Sequence, residues 1–136
     1  MSIAAFSGTK TQDRPLRILI ADDHDLARNA IRLILEQQPG FEVCGEASAG
    51  FKAVVEAERL KPDIVVVNAS EIEAARRIKE NLPHVKIVIL SSHEDHHLID
   101  EAKKVDVRAY VKSEAAEFLI KAIEDAMSGN DSVVIE

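Results

Sequence analysis

The sequence has a single cysteine, Cys44, no tryptophan, and only four phenylalanines and one tyrosine. One thiol excludes a disulfide framework and a cysteine-built zinc site, and it fits a reducing cytoplasm, the expected location. Five glycines and four prolines, beside 46% apolar and 30% charged residues, exclude collagen-like, low-complexity and disordered classes. Positive charge is scarce too: 17 Lys and Arg face 24 Asp and Glu, a net charge of −7. A field of that sign repels nucleic acid, and no direct nucleic-acid binding by this chain is expected. Long apolar runs are missing, so no membrane span is predicted. The opening MSIAAFSGTKTQDRP lacks the apolar core of a signal peptide.

What remains suffices for one domain. A chain of 136 residues buries roughly two-thirds of its unfolded surface and folds without staples. Residues 1–15 are small, polar and aperiodic and are expected to form a flexible N-terminal arm. The domain is expected over 16–128, with 129–136 as a C-terminal tail and no room for a second domain. Ser128-Gly129-Asn130 has the composition of a helix stop, and Val133 to Ile135 that of a linker start or a short strand.

Within the domain, short β-branched runs at Arg17–Ala21, Phe41–Glu46, Asp63–Asn68, Val85–Leu90 and Val107–Val111 alternate with helical stretches. The helices are predicted over roughly 25–38, 50–60, 71–81, 94–104 and 114–128. Leu26, Ala30, Leu33 and Ile34 mark the inner face of the first. Phe118, Leu119, Ala122, Ile123, Ala126 and Met127 mark that of the last. Five β/α alternations predict an α/β fold with a parallel sheet covered on both faces. Strands one, three and four are apolar on both faces, as central strands must be. Strand two sets Phe41, Val43 and Gly45 against Glu42, Cys44 and Glu46, and strand five alternates likewise, so both are placed at edges. The result is a flavodoxin-like (βα)5 doubly wound sandwich with strand order 2-1-3-4-5. Its ligand crevice lies beyond the strand C-termini at the β1/β3 switch point.

That crevice draws on Asp22, Asp23, Asn68, Ser91 and Lys112. Adjacent carboxylates at a strand end suit a hard cation such as Mg²⁺, although Asp23 or Asp25 as a helix cap is the plainer reading of such a pair. Ser91 and Lys112 add a hydroxyl and a cation, and their joint placement at one sheet edge carries the information.

Arg17-Ile-Leu-Ile-Ala-Asp-Asp-His24, Gly45-Glu-Ala-Ser48, Lys61-Pro-Asp-Ile-Val65, Val88-Ile-Leu-Ser91 and Ala109-Tyr-Val-Lys112-Ser113 resemble receiver domains of two-component response regulators, nearest the NarL/FixJ type. The resemblance runs over 16–128. It implies an acid pair at Asp22 and Asp23 that binds Mg²⁺ with a third Asp ending strand three. That third Asp accepts phosphate from a histidine kinase. It further implies phosphate contacts from Ser91 and Lys112, with Tyr110 at the switch-aromatic position.

Four departures stand against this pattern. The phosphoacceptor position is Asn68, and a neutral carboxamide is a far weaker nucleophile than a carboxylate. The loop after it is shorter than the family's, with Ser70 and Glu73 predicted to form a capping box and Ser70 the N-cap. Ser70 also supplies the carbonyl that the family's metal site uses. Tyr110 precedes Lys112 by two residues, on one face of a regular strand, unless a bulge intervenes. Asp106 stands where the family has a turn glycine.

Elsewhere, His93-Glu-Asp-His-His97 has metal-like content, but the acids suit a helix start. Arg76, Arg77 and Lys79 are flanked by Glu71, Glu73 and Glu80 and form a solvated face, with Glu73–Arg77 a predicted i, i+4 pair.

The expected function is therefore a receiver-like signalling domain, not an enzyme, that acts through contact with a histidine kinase, a response regulator or a second copy. Pairing surfaces are expected at helix four–strand five–helix five or at helices one and five, with Leu98, Ile99, Tyr110 and Phe118 as candidate apolar positions. Weak Mg²⁺ binding at Asp22 and Asp23 is the one cofactor expected. The alternatives are a receiver with a substitute acceptor (Ser70, Ser91 or Glu71) and a small-ligand-binding flavodoxin-like domain. The latter lacks a glycine-rich phosphate loop after strand one.

Overall fold

The computed structural model describes residues 14–48, 50–91, 96–105, 107, 109–112, 116–129 and 134–135. The elements run β1 (Leu16–Ala21), α1 (Asp25–Glu36), β2 (Phe41–Ala47), α2 (Gly50–Leu60), β3 (Ile64–Asn68), a 3₁₀ turn (Ala69–Glu71), α3 (Ile72–Asn81), β4 (Lys86–Ser91), α4 (His96–Lys104), β5 (Ala109–Lys112), α5 (Ala116–Ser128) and β6 (Val134–Ile135). The parallel sheet has order β2-β1-β3-β4-β5-β6. The 2-1-3-4-5 order holds, with one correction: β6 pairs outside β5 through Tyr110–Val134 and Val111–Ile135, so β5 is not an edge. Its alternating sequence misled because a two-residue partner covers little of it.

Two apolar clusters fill the faces of the sheet. On one, Leu19, Val65, Val67, Ile87 and Ile89 meet Ala53 and Ala57 of α2, Ala74, Ala75 and Ile78 of α3, and Ala102 of α4. On the other, Ile18, Ile20, Ile64, Val66, Val88 and Leu90 meet Ile31 and Leu35 of α1 and Leu119, Ala122, Ile123 and Ala126 of α5. Small residues on α2 and α3 let those helices lie close to the β-branched strands. The inner face of α5 is the predicted one, with Phe118 and Met127 packed at its margin.

The inner face of α1 is not. Ile31 and Leu35 are buried, whereas Leu26 and Leu33 are exposed. The helix carries apolar residues on two opposite sides. Its rotation is fixed by Arg28 and Arg32, both of which reach Glu46 of β2, at 3.0 and 2.8 Å.

Strand β2 also departs from simple alternation. Ile18 pairs with Val43 and Leu19 with Gly45, so Cys44 is an extra residue, a β-bulge. Phe41 and Val43 pack on the α1/α5 side, Ala47 belongs to the α2 side, and Glu46 is turned toward the α1 arginines. Gly45 sits under Leu60, whose Cδ1 would lie 2.5 Å from an added Cβ.

The lower end of the sheet is tied by Asp63. Its carboxylate accepts from the Arg17 backbone N–H at 2.9 Å and from both Arg14 terminal nitrogens at 3.1 Å. Arg17 in turn donates to the Leu60 and Lys61 carbonyls at 2.6 and 3.1 Å, a cation on the C-terminal end of α2. Burial raises the Asp63 carboxyl, but the hydrogen bonds from Arg14 and Arg17 and the two guanidinium charges outweigh it and hold it below its ordinary value. Gly129, at φ +89°, ends α5 as the sequence predicts.

Candidate functional site

Asp22, Asn68, Ser91 and Lys112 stand at the C-terminal ends of adjacent parallel strands, Asp22 directly after β1 and the others as the last residues of β3, β4 and β5. In the ladder Asn68 faces Leu90 and Ser91 faces Lys112. The β4–β5 register runs without a shift through Tyr110 and Lys112, so no bulge separates them.

Asp22 is 3% exposed and Ser91 4%. A buried carboxylate needs donors, and Asp22 has two, with the His24 ring beside them. Its Oδ1 accepts from the His24 backbone N–H at 2.9 Å and faces His24 Nδ1 at 3.2 Å, and its Oδ2 accepts a long bond of 3.4 Å from Asn68 Nδ2. Arg28 donates to the Asp22 carbonyl at 2.6 Å. His24 is the N-cap residue of α1 and makes no side-chain cap; neither Asp23 nor Asp25 occupies that position. The His24 imidazole instead lies between the acid pair, with Nδ1 2.9 Å from Asp23 Oδ1.

Asn68 caps the next turn. Its Oδ1 accepts from the Ser70 backbone N–H and from the Ser70 hydroxyl, each at 2.9 Å. The predicted Ser70–Glu73 capping box is thereby corrected. Ser70 turns its hydroxyl back to Asn68, α3 starts only at Ile72, and Glu73 pairs with Arg76 at 3.3 Å rather than with Arg77. The loop is as short as predicted, because the 3₁₀ turn begins at the residue after Asn68. A backbone N–H can only donate, so the amide oxygen must face Ser70 and the amide nitrogen must face Asp22.

Glu71 comes next on that turn. Its carboxylate reaches the start of α2, where Oε1 would lie 2.7 Å from a Cβ added at Gly50. Burial, then repulsion from Asp23 and Asp22, pushes the Glu71 carboxyl above its ordinary value. The acid pair thus has a third carboxylate nearby, displaced three residues from the strand end. The sequence places Glu71 among the substitute acceptors but does not show its reach to α2, and His24 between the acids is not evident in it. A helix running from residue 71 aims the glutamate at solvent, and His24 sits two residues beyond Asp22, a spacing that signals only a turn.

Among the described residues, Asp22, Asp23 and His24 form the one group whose side chains could converge on a metal ion. For Mg²⁺ the fit is poor. That ion takes oxygen ligands in a near-ideal octahedron, yet Asn68 offers Asp22 an N–H donor and His24 offers nitrogen. His93, Glu94, Asp95, Asp106 and Ser113 lie outside the described residues, as do the side chains of Leu98, Ile99, Tyr110 and Lys112. Arg76 is bound between Glu73 and Glu101, and Lys79 donates to the Val85 carbonyl at 2.7 Å, so these residues form no basic patch.

The fold is matched by comparison with known proteins. Residues 18–124 match the family model of the response regulator receiver domain. The chain belongs to that family. This receiver is 29% identical over 126 residues to the transcriptional regulatory protein DegU of Brevibacillus brevis, covering 88% of this chain and 53% of that protein. It is 30% identical over 125 residues to the response regulator protein VraR of Staphylococcus saprophyticus, covering 88% and 59%. The receiver therefore spans between half and three-fifths of the length of these relatives. Among solved structures it superposes on a two-component response regulator of the LuxR family from Aurantimonas at a TM-score of 0.83 and 28% identity, covering 88% and 89%. The isolated receiver domain of RcsB from Salmonella enterica shares the fold, with a TM-score of 0.81 at 22% identity over 90% and 95%. The receiver is thus a signalling domain of the two-component type, and among its described residues no helix is long and apolar enough to cross a membrane.

Proposed function

We propose that this receiver does not accept phosphate at the usual position and signals through contact with other proteins. The observation that carries the reading is the double engagement of Asn68. Forming an acyl phosphate at this position needs a carboxylate oxygen as nucleophile. The Asn68 oxygen is neutral and already accepts two hydrogen bonds, and its nitrogen donates to Asp22. The carboxamide turns an N–H toward Asp22, which supports weak Mg²⁺ binding at Asp22 and Asp23 and no phosphate contacts at Ser91, Tyr110 and Lys112. Partners of this reading are cytoplasmic signalling proteins, a histidine kinase, a response regulator or a second copy. The net charge of −7 supports no direct contact with nucleic acid.

Incubation with Mg²⁺ and acetyl phosphate, followed by intact mass measurement, tests it. The expected product is unmodified protein; a base-labile adduct of one phosphoryl group refutes the reading. Glu71, on the turn after β3 and repelled by Asp23 and Asp22, favours one second reading, a carboxylate acceptor displaced onto the turn. An adduct abolished by Glu71→Gln identifies that case.

A further inference from the structure

Among the described residues the sheet has two outer strands, β2 and β6. An open edge offers unpaired N–H and C=O groups to any strand that meets it. Proteins guard such edges with bulges, with charge, or by making the last strand very short. Edge β2 is guarded by its own sequence: the bulge at Cys44 interrupts it, and Glu42 stands exposed on it. Strand β5 has no such bulge. Its register against β4 runs unshifted over all four residues, and its one charge, Lys112, is the last of them. Left as the edge, Ala109–Lys112 would be a regular template for another strand.

Strand β6 removes that template. Gly129, at φ +89°, turns the chain out of α5, and Val134 and Ile135 then lie parallel to β5, opposite Tyr110 and Val111. An edge of four residues is exchanged for one of two, too short to pair well with another chain. The cover is also the slightest element of the sheet. Two ladder pairs join it to β5, whereas every other adjacent pair of strands is joined by at least four. An element held by so few bonds opens locally, without unfolding of the strands beneath it. Val111 is fully buried in the core shared by α1 and α5, so β5 keeps its place when β6 lifts.

We propose that β6 is a displaceable cover, which holds the β5 edge closed in cis and keeps two copies of this chain from joining there. When β6 lifts, the edge of β5 meets the same edge of a second copy. Identical strands related by a two-fold axis run antiparallel and make the same contact on both copies, so the opened edge fits the chain itself. The cover acts whether or not position 68 accepts phosphate, and its test is independent of that reading.

Sedimentation equilibrium of the full 15.0 kDa chain over a concentration series is the test, with circular dichroism to verify folding. Neighbouring residues of a strand turn their N–H groups to opposite sides, so Val134→Pro combined with Ile135→Pro removes the ladder donor whichever residue supplies it. The expected result is a native chain that stays monomeric where the double variant forms a reversible dimer, tighter by about ten-fold or more. A synthetic peptide of residues 130–136, added in excess, should fill the opened edge and return the variant to monomer. A variant that is monomeric at every concentration overturns the inference, including the case in which the edge takes only a different protein. A native dimer as tight as that of the variant overturns it as well, and so does a variant dimer that the peptide leaves intact.

Discussion

Asn68→Asp tests the proposed reading of position 68 and isolates one contact. The aspartate keeps an oxygen for the Ser70 N–H and hydroxyl, so the turn after β3 stays capped. What changes is the group facing Asp22 Oδ2 at 3.4 Å, from a donor to a second carboxylate oxygen. Two unit charges at that distance repel by about 5 kcal/mol at an effective dielectric constant near 20. Protonation of one partner limits the cost to about 4 kcal/mol at about pH 7. Side-chain relaxation lowers it further, and loss of the long hydrogen bond adds about 1 kcal/mol. The expected net destabilisation is about 2–4 kcal/mol, a fall in Tm of about 8–16 °C for a domain of this size. Millimolar Mg²⁺ should recover much of that loss, because the cation replaces the missing donor, and should leave the native protein nearly unmoved. Calorimetric melts of both proteins with and without Mg²⁺ give the answer. The reasoning fails if the variant melts with the native protein in the absence of Mg²⁺, or if Mg²⁺ raises both equally.

Two further outcomes follow from groups with displaced titrations. Asp63 has its carboxyl lowered in the fold, so its stabilisation is present above the unfolded pKa and is lost as pH falls through the folded one. Asp63→Ala should cost about 1–2 kcal/mol near neutrality, mainly through the orphaned Arg17 N–H, with the gap narrowing in acid; urea unfolding across pH measures it. Glu71 has the opposite sign: its raised carboxyl favours folding at low pH, and that advantage is lost as pH rises through the folded pKa. Glu71→Gln should therefore gain about 0.5 kcal/mol at neutral pH and nothing in acid, by the same measurement.

The strand order, the two-sided core and the placement of Asp22, Asn68, Ser91 and Lys112 at one end of the sheet were legible because they rest on period and placement. Val65, Val66 and Val67 are apolar on both faces wherever their strand sits, and Asp22 follows β1 under any packing. Choices between equivalent faces were not legible. Helix α1 has Leu26, Ala30 and Leu33 on one side and Ile31 and Leu35 on the other, and hydrophobicity alone favours neither. The deciding contact, Arg28 and Arg32 with Glu46, depends on a bulge at Cys44 that leaves the alternation of β2 unbroken in sequence. The cap failed to read for a related reason. Ser70 and Asn68 both accept from backbone amides well, and the shorter reach of Asn68, already at the strand end, prevailed.

The carboxamide at position 68 has a consequence for control. A switch needs a ligand that binds one state more tightly than the other, and a ligand that discriminates between none shifts nothing. In this receiver the backbone of the following turn holds one side of Asn68 and Asp22 holds the other. On the contact-based reading the domain is a fixed part, set at synthesis. What the cell adjusts is then its amount relative to its partners, and the response follows mass action instead of modification.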